Sequence, residues 1–193
     1  SGTTTVTIGG NLDLQSGIFY LSSGSSVPTL TIGGDLLIKP GTTFGCNNSA
    51  SAATGTINLG GNFTQTGGSF LQGGTGTITF NFTGANKQFT QSAGTFTPNK
   101  INFNINTAGA SLTLNNDFTI NTPNVFTVTN GALNCGTSIV TGTGTFTLTS
   151  SANATLGIGH VNGIVTAPTA TGNIQTTTRT YGALANYSYS STA

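Results

Sequence analysis

The groups best suited to catalysis or metal binding in this 193-residue chain are three aspartates (Asp13, Asp35, Asp117), one histidine (His160) and two cysteines (Cys46, Cys135). A glycosidase needs two acids facing one cleft. Asp13 and Asp35 fall in successive copies of a repeat, but Asp13 comes four residues after Gly9 and Asp35 two after Gly33, so they are expected to face different ways. The polysaccharide lyases built on β-helices also need calcium-binding acids and a basic catalytic residue, and this chain is too poor in charge to assemble them. A triad base needs a nucleophile and an orienting acid within reach. His160 has neither a Gly-x-Ser-x-Gly elbow nor a nearby acid, so it reads as a structural or exposed histidine.

Calcium-binding coils of the Gly-Gly-x-Gly-x-Asp type repeat their acid in every turn. Here the third copy carries Asn62 and Thr64 with no acid, and a lone Asp cannot build a cage of about six to eight oxygens. The glycine runs Gly73–Gly76 and Gly157–Gly163 open no helix that would cradle a phosphate, so both are expected to be turns. No catalytic residue, cofactor or metal site is therefore expected. Cys46 and Cys135 lie about three to four coils apart if each coil takes some 24 residues, beyond the roughly 7 Å a disulfide tolerates. They are read as free buried thiols or as an inter-subunit disulfide.

Two surface features suggest binding instead. Thr-x-Thr tracts (Thr5/Thr7, Thr29/Thr31, Thr77/Thr79, Thr127/Thr129 and Thr143 to Thr149) have apolar residues between the threonines. Stacked on a flat face, such threonines form an array of methyls and hydroxyls suited to ice or glycans, although Thr also simply favours solvent-facing strands. Asn58 interrupts the column where Thr7 and Thr31 stand. The rings of Tyr181, Tyr187 and Tyr189, with Tyr20, are further candidate glycan contacts. Five Asn-x-Ser/Thr triplets (Asn47, Asn62, Asn81, Asn153, Asn186) are expected by chance in so Asn- and Thr-rich a chain.

The elements that must position these residues are written in one unit. Val6–Gly17 reads Val-Thr-Ile-Gly-Gly-Asn-Leu-Asp-Leu-Gln-Ser-Gly and returns as Leu30–Gly41 and Ile57–Gly68. The pairs Gly9-Gly10, Gly33-Gly34 and Gly60-Gly61 recur at a spacing that signals stacked coils. Val6, Ile8, Leu12 and Leu14, then Leu30, Ile32, Leu36 and Ile38, then Ile57, Leu59, Phe63, Phe70 and Leu71 are the expected inward residues. Asn11, Asp35 and Asn62 suit a left-handed or turn position. Gly45–Ala53 reads as a loop excursion. Later strands (Ile78/Phe80/Phe82, Ile101/Phe103/Ile105, Phe126/Val128, Phe146/Leu148) keep the alternation but lose the letters.

The expected fold is all-β: a right-handed parallel β-helix (β-solenoid) of coils over 1–150, with a short non-repeat β segment over 151–193 that closes or connects it. An antiparallel β-sandwich is the alternative. Charged residues are 4%, against about 25% in ordinary domains, and the net charge is +1, which leaves no footprint for nucleic acid or anionic membrane. Hydrophobic residues are 35% and fall at alternate positions, which argues for folding rather than disorder. No stretch approaches the roughly 18 apolar residues of a membrane helix. No basic region precedes an apolar one at the start, so Ser1 is read as a mature or trimmed start. This Thr/Ser/Asn/Gly bias suits an extracellular protein.

The order Leu156-Gly-Ile-Gly, Gly163-Ile, Gly172-Asn-Ile-Gln, Arg179-Thr-Tyr and Ala185-Asn-Tyr-Ser-Tyr, after Gly-Gly-Asn-Leu coils, resembles modules of the giant repeat-rich cell-surface and secreted proteins of Bacteroidetes-type bacteria. The resemblance spans essentially the whole chain. It implies an adhesin-like, non-catalytic, surface-displayed segment of something longer, exported by the type IX route. The expected partners are neighbouring modules or further copies of the chain stacked end to end in a surface fibre, and surface glycans.

Overall fold

The computed structural model describes residues 2–48, 52, 54–97, 100–165 and 171–190, and all described secondary structure is β-strand. The end of the expected Gly45–Ala53 excursion and the Ala-Pro-Thr run at 167–169 lie outside the described residues. The chain forms two compact units, Ser1–Asn81 with Thr90–Asn102, and Phe82–Phe89 with Phe103–Ala193.

In the first unit, coil 1 comprises β1 (Thr3–Ile8), β2 (Leu12–Leu14) and β3 (Gly17–Ser22), and coil 2 comprises β4 (Val27–Ile32), β5 (Leu36–Ile38) and β6 (Thr42–Asn47). Coil 3 comprises β7 (Gly55–Leu59) and the longer β8 (Phe63–Leu71). Parallel ladders run β1–β4–β7, β2–β5–β8 and β3–β6–β8. The Val-Thr-Ile copies therefore lie in register, Val6 on Leu30 on Ile57 and Ile8 on Ile32 on Leu59. Then come β9 (Ile78–Phe82), β10 (Lys87–Phe96) and β11 (Ile101–Leu114), each of which divides its residues between the two units.

The second unit adds β12 (Phe118–Thr119), β13 (Val125–Asn134), β14 (Val140–Thr141), β15 (Thr145–Leu148), β16 (Ala154–Ile158), β17 (Thr178–Tyr181) and β18 (Asn186–Tyr189). Its parallel ladders run β11–β13–β15–β17 and β13–β16–β18. The fold is thus a parallel β-solenoid. The antiparallel sandwich is excluded, because facing antiparallel layers would not place the Gly-Gly copies in one column.

Alternation along each strand explains the core. Leu30, Ile32, Leu36, Ile38, Ile57, Leu59 and Ile78 are fully buried, while Thr29, Thr31, Thr56 and Asn58 between them stay part-exposed. Each such aliphatic contributes about 1.5–3 kcal/mol relative to exposure. Phenylalanines stack in columns, Phe19–Phe44–Phe70 at 5.8 and 4.9 Å in the first unit and Phe103–Phe126–Phe146 at 6.1 and 6.2 Å in the second. Such ring pairs add about 0.5–1.5 kcal/mol beyond burial.

Three local expectations are corrected. Phe70 is buried but Leu71 is only half-buried, because adjacent residues of one strand point to opposite faces. Gly45, Cys46 and Asn47 belong to β6 rather than to a loop, since they continue the ladder against β3 and β8. Asn11, Asp35 and Asn62 stand at the corner between strands, as the turn half of the expectation has it, but are not left-handed; the one non-glycine residue with positive φ among those described is Asn86 (φ 55°).

Candidate functional site

The corner of each repeat is built by contact between coils. A Cβ on Gly33 would lie 2.6 Å from the Gly9 carbonyl oxygen, and one on Gly61 would lie 2.2 Å from the Gly34 carbonyl carbon. Glycine is required there by the closeness of the coil before, not by a special φ. Once the backbones touch, the next residue bridges them. The Asp35 amide donates to Asn11 Oδ1 at 2.8 Å, and the Asn62 amide donates to Asp35 Oδ1 at 2.7 Å. These steps span 24 and 27 residues, one coil each. The second unit repeats the device, with the Ile139 amide donating to Asp117 Oδ1 at 2.8 Å.

The three carboxylates have separate partners. Asp13 is exposed and pairs with Lys39 at 3.0 Å and with the Gln15 amide, while Asp35 serves the corner ladder. Asp13 stacks beside Leu37, so the two acids occupy different columns. His160 Nδ1 accepts the Asn162 amide at 3.1 Å in the turn after β16. Among the described residues no group of three His, Cys, Asp or Glu could hold a metal ion. Gly74–Gly76 form a bend; Gly157 lies in β16, and the turn spans His160–Asn162.

Both thiols are free and fully buried. Burial pushes Cys46 and Cys135 up to about 12, so neither is a ready nucleophile. A cross-link to another subunit through either one requires its coil to open first.

The threonine columns are in register. In the first unit Thr5 stacks on Thr29 and Thr29 on Thr56, while Thr7 stacks on Thr31 and Thr31 on Asn58. The column then turns to amides, Asn58 Nδ2 donating to Thr31 Oγ1 at 3.4 Å and Asn81 Nδ2 to Asn58 Oδ1 at 2.8 Å. In the second unit Asn104, Thr127, Thr147 and Thr180 form a comparable column.

Tyr181, Tyr187 and Tyr189 stand elsewhere, at inward positions of the last described coil of the second unit, and Tyr20 lies in β3 of the first unit beside Gly45. Tyr181 follows Leu148, Tyr187 follows Leu156 and Tyr189 follows Ile158 in their columns. Tyr181 and Tyr187 are half-buried, and the Tyr187 hydroxyl donates to the Gly182 carbonyl at 2.9 Å. Burial raises Tyr181 to about 12. Tyr189 is 63% exposed. Arg179 takes the slot after Phe146 and donates from its guanidinium to the carbonyls of Val165 and Thr176 at 3.1 and 2.7 Å. Amphipathic side chains thus finish columns that aliphatic and phenyl groups began.

Sequence reasoning missed the buried amides. Asn173 is 1% exposed and satisfies both ends of its side chain: Nδ2 donates to the carbonyls of Gly136 (2.8 Å) and Ser138 (2.7 Å), and Oδ1 accepts the amides of Gly159 (3.1 Å) and His160 (3.0 Å). Gln65, fully buried, accepts from Gln91 Nε2 at 3.0 Å and donates to the Thr95 carbonyl at 3.3 Å. The Gly172-Asn-Ile-Gln motif could have signalled the first; nothing in the sequence marks Gln65 as buried. A shallow groove of about 360 Å³ in the second unit is lined by small neutral residues, including Ala108, Ser111, Asn130 and Thr155, and offers no ionisable group. Comparison with protein-family models, with curated proteins and with solved structures finds no match to this chain.

Proposed function

We propose that the chain is a non-catalytic, extracellular structural module, adhesive in character, that stacks with neighbouring modules in a surface fibre. The observation that carries this reading is where the polar chemistry goes. Asp35 and Asp117 each give a carboxylate oxygen, and Gln65 and Asn173 both ends of their amides, to neighbouring stretches of their own unit. Such a framework resists tension and proteases because unwinding one coil breaks a backbone ladder and a side-chain ladder together. The resemblance to the repeat modules of Bacteroidetes-type surface proteins supports the extracellular assignment. Single-molecule pulling and protease challenge test it: a high unfolding force with no cleavage of the folded chain is expected, and easy cleavage within the coils would overturn it.

The registered threonines of β1, β4 and β7 favour one second reading, binding of glycans or ice by that face. A glycan array and a thermal-hysteresis measurement decide it, and binding that survives replacement of Thr5, Thr7, Thr29 and Thr31 by serine would exclude the threonine methyls from recognition.

A further inference from the structure

Gly9 and Gly10 are glycines that nothing described in this structure requires. Neither has a positive φ, and a Cβ on either would meet no atom within 4 Å. At the matching corners of coils 2 and 3 the requirement comes from the coil on the N-terminal side: a Cβ on Gly34 would sit 2.2 Å from Asn11 Oδ1 and 2.7 Å from the Gly10 carbonyl carbon. The demand for glycine at Gly9 and Gly10 thus has a direction, and in that direction coil 1 is open.

Two further observations point the same way. The amides of Asp35 and Asn62 are each capped by an Oδ1 from the preceding coil, whereas among the described residues no such oxygen stands before the Asn11 amide. Val6, Ile8, Leu12, Leu14 and Phe19 are only half-buried, although the residues stacked on their other side, Leu30, Ile32, Leu36, Ile38 and Phe44, are fully buried. Apolar surface, a missing acceptor and unexplained glycines coincide on one face.

We infer that this face of coil 1 is a docking surface for one more parallel coil of the same pattern (apolar-Thr-apolar, Gly-Gly, then Asn or Asp), supplied by the module on its N-terminal side. The inference rests on the reading of the chain as one module among stacked neighbours, and names what the neighbour presents. A second copy does not fit. Its Asn11 and Asp35 already spend their Oδ1 on its own coils 2 and 3, and its last described coil turns through Gly182-Ala183-Leu184-Ala185 with no Asn or Asp.

The experiment compares the chain as it is with one carrying residues 1–24 duplicated ahead of Ser1, which reproduces the 24-residue step from coil 1 to coil 2. Gly10→Ala is made in both. The duplication is expected to raise the unfolding midpoint and to slow hydrogen exchange at the Asn11 amide by at least roughly tenfold, because the amide gains an acceptor. Gly10→Ala should leave the original chain unharmed, yet favour unfolding of the extended chain on the order of tenfold. Equal effects in the two backgrounds, or an Asn11 amide that exchanges as fast with the duplication as without it, overturns the inference. Self-association of the original chain that Gly10→Ala abolishes also overturns it, in favour of a second copy. These readouts concern the face alone, so a failed pulling or protease experiment leaves them standing.

Discussion

Asp35 Oδ1 accepts two donors from Asn62, its backbone amide at 2.7 Å and its side-chain amide at 3.1 Å, so one oxygen ties the corner of coil 2 to that of coil 3. Asp35→Ala should cost about 1–3 kcal/mol, because it leaves the part-buried Asn62 amide without its acceptor. Asp35→Asn keeps an oxygen in place and should cost less. The Asp13–Lys39 pair is a third exposed at each end, so Asp13→Asn is expected within about 1 kcal/mol of wild type. Urea denaturation of the three variants gives the ranking; a harmless Asp35→Ala would remove the ladder as a source of stability.

Gly34→Ala and Gly10→Ala make a matched pair in the chain as it stands. The first drives a methyl into the Gly10 backbone and the Asn11 side chain, at an expected cost of about 1–3 kcal/mol or more. The second meets open space and should stabilise by about 0.4–1 kcal/mol, by restricting the unfolded chain. Thermal unfolding separates the two by sign.

The buried thiols predict loss of stability in alkali. Cys46 and Cys135 hold their protons up to about 12, against 9.0 for a free thiol, so above that lower value the folded state binds more protons than the unfolded one. Their contribution is complete below pH 9.0 and is lost as pH climbs from there toward about 12. The unfolding midpoint should fall across that window, and Cys46→Ala with Cys135→Ala should flatten the fall. A thiol reagent at neutral pH should label neither residue until the protein unfolds.

Asn173 is the polar residue whose replacement should do most harm. Asn173→Leu strands two carbonyls and two amides, at an expected cost of about 3 kcal/mol or more. Asn173→Asp keeps the acceptor but aims carboxylate oxygen at the Gly136 and Ser138 carbonyls, and should be no better. A circular-dichroism melt of either variant near the wild-type midpoint would contradict this assignment.

The amino-acid sequence by itself determined the coil. Apolar residues at every second position, glycine pairs at nearly constant spacing and a following Asn or Asp are local properties of the letters, and together they specify parallel stacking in the first three copies. They also told against catalysis, since so few ionisable groups leave little to assemble. The reason for the glycines was not legible, because it lies in the coil beneath rather than in the glycine's own φ: Gly34 is forced by Gly10 and Asn11, and no reading of one copy alone reveals that. The inward turn of Arg179, Tyr181 and Tyr187 was hidden for the same reason. Phe146 and Arg179 occupy one column, but the segment between them is longer than an earlier coil, so their register exists only once the backbone has wound around it. Periodicity is written along the chain, whereas the identity of each vertical neighbour depends on loop lengths that only the tertiary structure sums.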